Sequence, residues 1–473
     1  MKNLLFVFAD QWRGDALGFA GADPVKTPNM DAFCRESTYC DHAFSTFPVC
    51  SPHRASLMTG KYPLSAGFFT NCKKGLHLRL RDDELCMGQI LKNAGYQTAY
   101  IGKWHLDEPE QNSCEHPISG AADWDAYTPP GVRRHGFDYW YSYGTYDMHL
   151  NPHYWQDTPE MIQPAVWSPQ HETDKAIEYM GKIRNPDRPF ALCLSWNPPH
   201  SVYSQVPEAY LREYGEIPMK ENVSYDHIHH HTGEQVNYTQ EEMQQTTRQY
   251  FAAVTGLDHQ FGRLIKALKE QGLYDDTVVV LSADHGDMMG SHGLMGKHVW
   301  YEESIRIPFV VHIPGKRPAV CHTCLGSQDM LPTVLGLLHI PVPETVEGED
   351  CSGYLLEHFE NPERVSFLCA CPGGLAVVGK FRQAGKDPRC FGWRGVRTGN
   401  YTYVMELGYQ MEPDPHRYLY DLREDPQQMH PMDLGNRENR NLADRLEEKV
   451  MIWMAQQKDG FSGNWMANAV KEQ

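Results

Sequence analysis

Leu4-Leu5-Phe6-Val7-Phe8-Ala9-Asp10-Gln11, at the start of a 473-residue chain, is the stretch on which the fold turns. An apolar run this short, with no wet face, predicts a strand buried on both sides, as in a parallel sheet covered by helices. Asp10 and Gln11 end it abruptly, and polar residues at such a strand end lie where α/β folds collect their sites. Similar runs return at Thr98 to Ile101, Phe190 to Trp196, Thr277 to Ser282 and Pro308 to His312. Between the third and fourth, Tyr250, Val254, Leu257, Phe261, Leu264 and Leu268 recur at helical spacing within Glu241 to Gln271, and Gly272 closes the helix. The expected fold is α/β, a large mixed, mostly parallel sheet sandwiched by helices.

From about Arg364 the pattern changes to short strands at Val365 to Cys369, Gly395 to Thr398, Tyr401 to Met405 and Tyr418 to Leu422, followed by a helix through Leu442 to Met454. This predicts a smaller C-terminal antiparallel sheet plus helix, hence a large domain over 1–360 and an α+β subdomain over 361–473. The insert from Cys114 to Gln170, rich in Trp, Tyr, Pro and Gly, suits a long loop over an active site. Its Trp124, Tyr139, Trp140, Tyr141 and Trp155 offer stacking surfaces for a sugar ring or pack as a lid.

A formal charge of −18 without any long basic run argues against nucleic acid as a partner. Any anionic substrate must then meet a locally positive pocket made by a metal and a few placed cations. Thirteen scattered cysteines are not a disulfide framework. The N-terminal apolar run is too short for a signal peptide and no later run is long enough to span a membrane, so the expectation is a cytoplasmic, reduced protein.

Cys50 stands in Pro48-Val49-Cys50-Ser51-Pro52-His53-Arg54. Taken alone it is either a small buried side chain or, with Arg54 and a helix start beside it, a thiol of lowered pKa. Asp10-Gln11 and Asp284-His285 each close a strand, and a parallel sheet can bring both pairs to one edge. Each pair alone also suits a helix cap or a turn. Lys103 and His105, two apart after a strand, would point the same way on an extended chain, while His200 and Lys297 follow a strand and a glycine-rich loop. Singly, such residues are more often solvated or structural.

The order of these segments carries more than any one of them. Cys50-x-Pro52-x-Arg54 followed by Thr59-Gly60-Lys61-Tyr62-Pro63 resembles the maturation signature of type I sulfatases, in the alkaline phosphatase superfamily. Gly95 to Leu106 is similar to their second signature, and Thr27 to Asp31, Asp284 to Asp287, Asp329 to Thr333 and Leu419 to Leu422 extend the likeness over nearly the whole chain. The resemblance implies a sulfate monoester substrate, a sulfated carbohydrate or an aryl ester, and a maturation enzyme that oxidises Cys50 to formylglycine, whose hydrate supplies the nucleophile. It implies a divalent metal held by Asp10, Gln11, Cys50, Asp284 and His285, with Ca²⁺ favoured by the oxygen donors and Mg²⁺ or Mn²⁺ as alternatives. Arg54 would hold the formylglycine, Lys103, Lys297 and His200 the sulfate, with His200 as acid for the leaving alcohol and His105 as base. Many sulfatases carry an acid where Gln11 stands and Asn where His285 stands. The Asp-Gln and Asp-His pairs also resemble phosphonate monoester hydrolases, which keeps a phosphonate or phosphodiester hydrolase as the alternative.

Three further features carry less. His227, His229, His230 and His231 cluster in a polar stretch that reads as a solvated loop rather than a second metal site. Cys321-His322-Thr323-Cys324 reads as two unrelated thiols, and Asn71 lies where it could touch substrate.

Overall fold

A computed structural model of the chain describes residues 1–225, 228–230, 235–357 and 359–469, with the side chains of 226–236 outside it. The strands, in chain order, are β1 Asn3–Asp10, β2 Thr38–Cys40, β3 Gln97–Lys103, β4 Tyr139–Tyr143, β5 Phe190–Pro199, β6 Ile228–His230, β7 Gln235–Val236, β8 Thr277–Ala283, β9 Leu294–Met295, β10 Phe309–His312, β11 Ala319–Cys321, β12 Ser366–Ala370, β13 Gly392–Arg397, β14 Tyr401–Gly408 and β15 His416–Asp421. Eight form one sheet in the order β11-β2-β10-β8-β1-β5-β3-β4, and β6, β7 and β9 make a small separate ribbon. All neighbouring pairs in the large sheet are parallel except β10, which runs against both β8 and β2.

Central placement of β1 follows from its composition: Leu4 to Ala9 are at most 1% exposed, so both faces are dry. Helices Pro28–Arg35 and Ser168–Glu178 pack with the long helix Gln240–Glu270, while helices Cys50–Thr59, Met87–Asn93 and Ser327–Leu337 form a second packed group. The long helix starts where a capping box fixes it, with Thr239 and Glu242 satisfying each other's backbone N–H groups. None of the described helices is long and apolar enough to cross a membrane.

The sequence expectation missed β2, β4 and β11. β2 and β11 have three residues each, too few to show a period. β4 lay inside the aromatic insert, which is not a loop throughout: Tyr139 to Tyr143 pairs with β3 as the sheet's edge. Trp140 and Tyr141 are 2% exposed and Trp155 is fully buried, so of the fully aromatic positions singled out for stacking only Trp124, at 41%, is open.

Strands β12 to β15 form the expected antiparallel sheet, covered by helix Arg437–Gln456. Two more helices, Leu375–Gln383 and Phe461–Ala469, join it where one had been expected. Its core is shared with the larger sheet's loops, because Phe44, Phe47 and Val49, just before Cys50, and Trp300 and Ile305, just after Lys297, pack into it. Arg394, buried under this sheet, is paired with Asp459 and stacks its guanidinium over Phe461.

Candidate active site

Parallel strands β1, β3, β5 and β8 present their carboxyl ends on one edge, and the residues delivered there are Asp10 and Gln11, Lys103 and His105, His200, and Asp284 and His285. Cys50 opens helix Cys50–Thr59, every residue of which is buried. Val49 gives this helix no side-chain cap; instead Asn71 Oδ1 accepts the Ser51 N–H at 2.9 Å. Asn71 is thus spent on holding the helix that carries Cys50, a role its sequence position did not reveal.

Cys50 Sγ, 1% exposed as a residue, lies 3.3 Å from His285 Nε2, 3.5 Å from Asp10 Oδ1 and 3.8 Å from Lys297 Nζ. Burial alone would push its thiol up, yet Lys297, Lys103 and His285 together hold it well below the ordinary thiol range. Arg54 does not touch it. Its guanidinium bonds Asp284 Oδ2 at 3.0 Å, Asp10 Oδ2 at 3.1 Å, the Lys103 carbonyl at 2.7 Å and Ser195 Oγ at 2.8 Å. All of its described bonds go to the two carboxylates, the end of β3 and Ser195 of β5, since its fork fits two carboxylates at once beside the Cys50 helix.

Asp10, Cys50, Asp284 and His285 place one ligand atom each within 4.8 Å of one another. His285 Nδ1 donates to the Gly286 carbonyl at 3.0 Å, which turns Nε2 toward both carboxylates at 3.6 Å. Gly286 has no alternative there, because a Cβ would stand 1.9 Å from the Glu303 carbonyl. Gln11 turns left-handed at φ 64° and its amide is oriented from behind, Nε2 donating to Tyr203 and Asp287 so that Oε1 faces Lys297 and the site. Burial and the neighbouring Asp10 charge push the Asp284 carboxyl up; Asp10, though buried beside the thiol, is held down by Lys103, His200 and Arg54. Two buried carboxylates that destabilise each other, an oriented amide oxygen and an imidazole nitrogen fit a hard divalent cation.

Lys103 Nζ bonds Asp10 at 2.7 Å and Asn197 Oδ1 at 3.0 Å. His105 reaches the site by a different route from the one expected. The chain is not extended after β3: His105 adopts φ 53°, its N–H bonds the Gly144 carbonyl, and Nε2 is 3.2 Å from the Cys72 carbonyl. The ring lies within reach of the Cys50 side chain, which raises its pKa, but burial outweighs this and lowers it. His200 is the opposite case. Burial and Lys297 push it down, but Asp147 at 3.3 Å lifts it to about 9, with Asp10 helping. Asp147, itself bonded by Asn197 Nδ2 at 3.1 Å, sits in the aromatic insert with no motif around it to announce it.

Lys297 is 6% exposed and its loop is pinned rather than free. Asp287 Oδ1 accepts the Met289 and Gly296 N–H groups, and the His298 carbonyl accepts from Trp393 Nε1 at 2.8 Å and Tyr409 O–H at 2.6 Å. The C-terminal sheet thus holds the strap that carries Lys297. Lys73, which the sequence did not suggest, stands close enough for Lys297 and Cys50 to act on its charge. Cys321 and Cys40 are register partners on β11 and β2, Cys324 is buried apart in the second core, and all thirteen cysteines are unbridged. His227 and His231 lie outside the described residues, as do the side chains of His229 and His230.

Residues 2–340 match the sulfatase family profile. The chain is 35% identical to an endo-4-O-sulfatase of Bacteroides thetaiotaomicron, over 95% of this chain and 91% of that one. It is likewise 35% identical to an ulvan-active sulfatase of Formosa agariphila, over 97% of this chain and 82% of the relative. A solved Bacteroides thetaiotaomicron structure, from work on the metabolism of multiple glycosaminoglycans, superposes with a TM-score of 0.86 at 33% identity and 99% coverage of both chains.

Proposed function

The chain belongs to the sulfatase family and is a sulfuric ester hydrolase, and from that premise we propose that it removes sulfate from a sulfated carbohydrate, with Cys50 matured to formylglycine and Ca²⁺ as the divalent ion. The family implies a formylglycine and a divalent metal; when present, they supply a hydroxyl nucleophile for attack at sulfur and a positive charge that holds the sulfate oxygens. Asp10, Asp284, His285 and the side chain derived from Cys50, with the Gln11 amide oxygen beside them, would hold the ion, and the mostly oxygen donor set favours Ca²⁺. Carbohydrate is favoured by the two relatives above, whose names place one on 4-O-sulfate and the other on ulvan.

The chain's own residues then divide the work by charge. Lys103 from the end of β3 and Lys297 from its pinned strap act on the Cys50 side chain and offset the sulfate's negative oxygens in a buried site. His200, raised to about 9, is cationic at neutral pH and donates its proton to the departing sugar oxygen. His105, lowered by burial, is neutral and within reach of the Cys50-derived side chain to take a proton from it. Two imidazoles with pKa values driven apart are the acid and base that ester cleavage needs.

The observation that carries the proposal is the buried Cys50 side chain at the meeting point of a metal-binding donor set and two lysines. Measuring kcat/KM of the matured enzyme on a sulfated sugar and on an aryl phosphonate, with Cys50→Ala as blank, tests it. Preference for the sulfate is expected; preference for the phosphonate would make Gln11 and His285 the telling residues and replace this function with phosphonate hydrolysis.

A further inference from the structure

Segment 71–73 wraps the nucleophile: Asn71 caps its helix, the Cys72 carbonyl faces His105 Nε2, and the Cys72 N–H bonds Ser51 Oγ at 3.1 Å. Lys73 comes next and leans over the ring of Trp124, with Nζ 4.5 Å from its centroid. Gln111 ties the two segments together, its Oε1 accepting both from Lys74 Nζ at 2.8 Å and from the Asp123 N–H at 3.2 Å. Asp125, the next residue after Trp124, is fully buried and accepts the Ala126, Gly144 and Thr145 N–H groups at 2.8, 2.7 and 3.0 Å. Trp124 is therefore the open ring on a rigid support.

Half-buried lysines ordinarily find a carboxylate. Among the described residues Lys73 has none; it faces an aromatic ring and lies near enough to a second cation, Lys297, to feel its charge. Burial and Lys297 depress it to about 8, and an anion bound beside both ammonium groups would offset their mutual repulsion.

We infer that Lys73 and Trp124 form a second subsite beside the reacting sulfate, with Lys73 binding an anionic group, a carboxylate or a further sulfate, on the sugar next to the one being desulfated, and Trp124 supporting that sugar's face. The inference rests on the carbohydrate sulfatase function above and adds that its preferred substrate carries more than one negative group.

A cycle that alters enzyme and substrate in turn tests it. Wild-type and Lys73→Met are compared on a sulfated disaccharide with a uronate neighbour and on the same compound with its carboxyl reduced to the alcohol, then on a pair with and without a second sulfate. Wild-type should favour the anionic member of one pair by roughly tenfold or more in kcat/KM, chiefly through KM, as befits a charged hydrogen bond. Lys73→Met should erase the preference and Lys73→Arg retain most of it. The pair that responds identifies the anion as carboxylate or sulfate. An unchanged preference in Lys73→Met, or none in wild-type for either pair, overturns the subsite. Turnover of all four compounds with a flat ratio would sink the subsite while the sulfatase function stands. Turnover of none, with cleavage of an aryl phosphonate, would sink that function; binding of the four to Cys50→Ala by calorimetry, with and without Lys73→Met, then decides the subsite separately.

Discussion

Asp147→Asn isolates what makes His200 an acid. His200 is faced by Lys297 and Lys103, which lower its pKa, by Asp147 and Asp10, which raise it, and by His149, whose Nε2 is 3.1 Å from the His200 carbonyl. The sum lifts the ring from an ordinary 6.5 to about 9. Asn keeps the shape of Asp147 and removes its charge, so the ring should fall to 6.5 or lower, the two lysines remaining. At pH 8 the protonated share then drops from about nine-tenths to about 3%, roughly thirtyfold. In the wild-type protein the acid is present below about 9 and lost above it, and the variant should lose it some two units or more lower. The assay is the pH profile of kcat/KM on an alkyl or sugar sulfate, whose alcohol needs a proton to leave, beside 4-nitrophenyl sulfate, whose phenolate does not. A fall of the alkaline limb for the first substrate with little change for the second is expected. An alkaline limb that stays near 9 in Asp147→Asn would refute the assignment of His200 as acid.

Cys50→Ala should abolish turnover with the thermal midpoint little changed, since the thiol is small; residual activity above the uncatalysed rate would remove formylglycine from the mechanism. Asp284→Asn should lower bound metal, measured by elemental analysis after dialysis, and activity with it; unchanged metal content would place the ion elsewhere. Asp459→Ala strands the Arg394 charge in the second core and should cost about 3–5 kcal/mol in denaturant unfolding; a loss under about 1 kcal/mol would show that water reaches Arg394 in the folded protein.

Part of the site was legible because parallel strands put chemistry at their ends, which groups Asp10 and Asp284, while Lys103 and His200 join them in the sequence only through the sulfatase resemblance. Long dry runs such as Leu4 to Ala9 announced themselves by composition. Three-residue strands at the sheet edge did not, having no period to read. Residues that act through others were also hidden: Asp147 matters because Asn197 and His200 converge on it, and Asn71 because Val49 leaves a helix uncapped, both consequences of tertiary approach. Arg54's part in tying Asp10 to Asp284 was hidden in the same way, since its sequence spacing points only to Cys50 while its fork spans the two carboxylates. The aromatic insert misled, since Trp140 and Trp155 fill the interior while Trp124 is the tryptophan of the insert that stands open to solvent.

If Cys50 is matured as proposed, burial of the whole helix Cys50–Thr59 sets a clock on that step. A catalyst acting on Cys50 as proposed could not reach a side chain 1% exposed beneath Lys297, so its modification would belong to the unfolded chain. Lys297 is made about 250 residues after Cys50, and the Trp393 and Tyr409 anchors of its strap some 100 residues later still. At about 5–20 residues per second, synthesis leaves the thiol open for on the order of ten seconds to a minute. Chains that outrun the modifying catalyst in that interval would fold with the thiol sealed in, well formed and inert, so the active fraction of a preparation is fixed by a race during translation and cannot be recovered by refolding conditions chosen afterwards for stability alone.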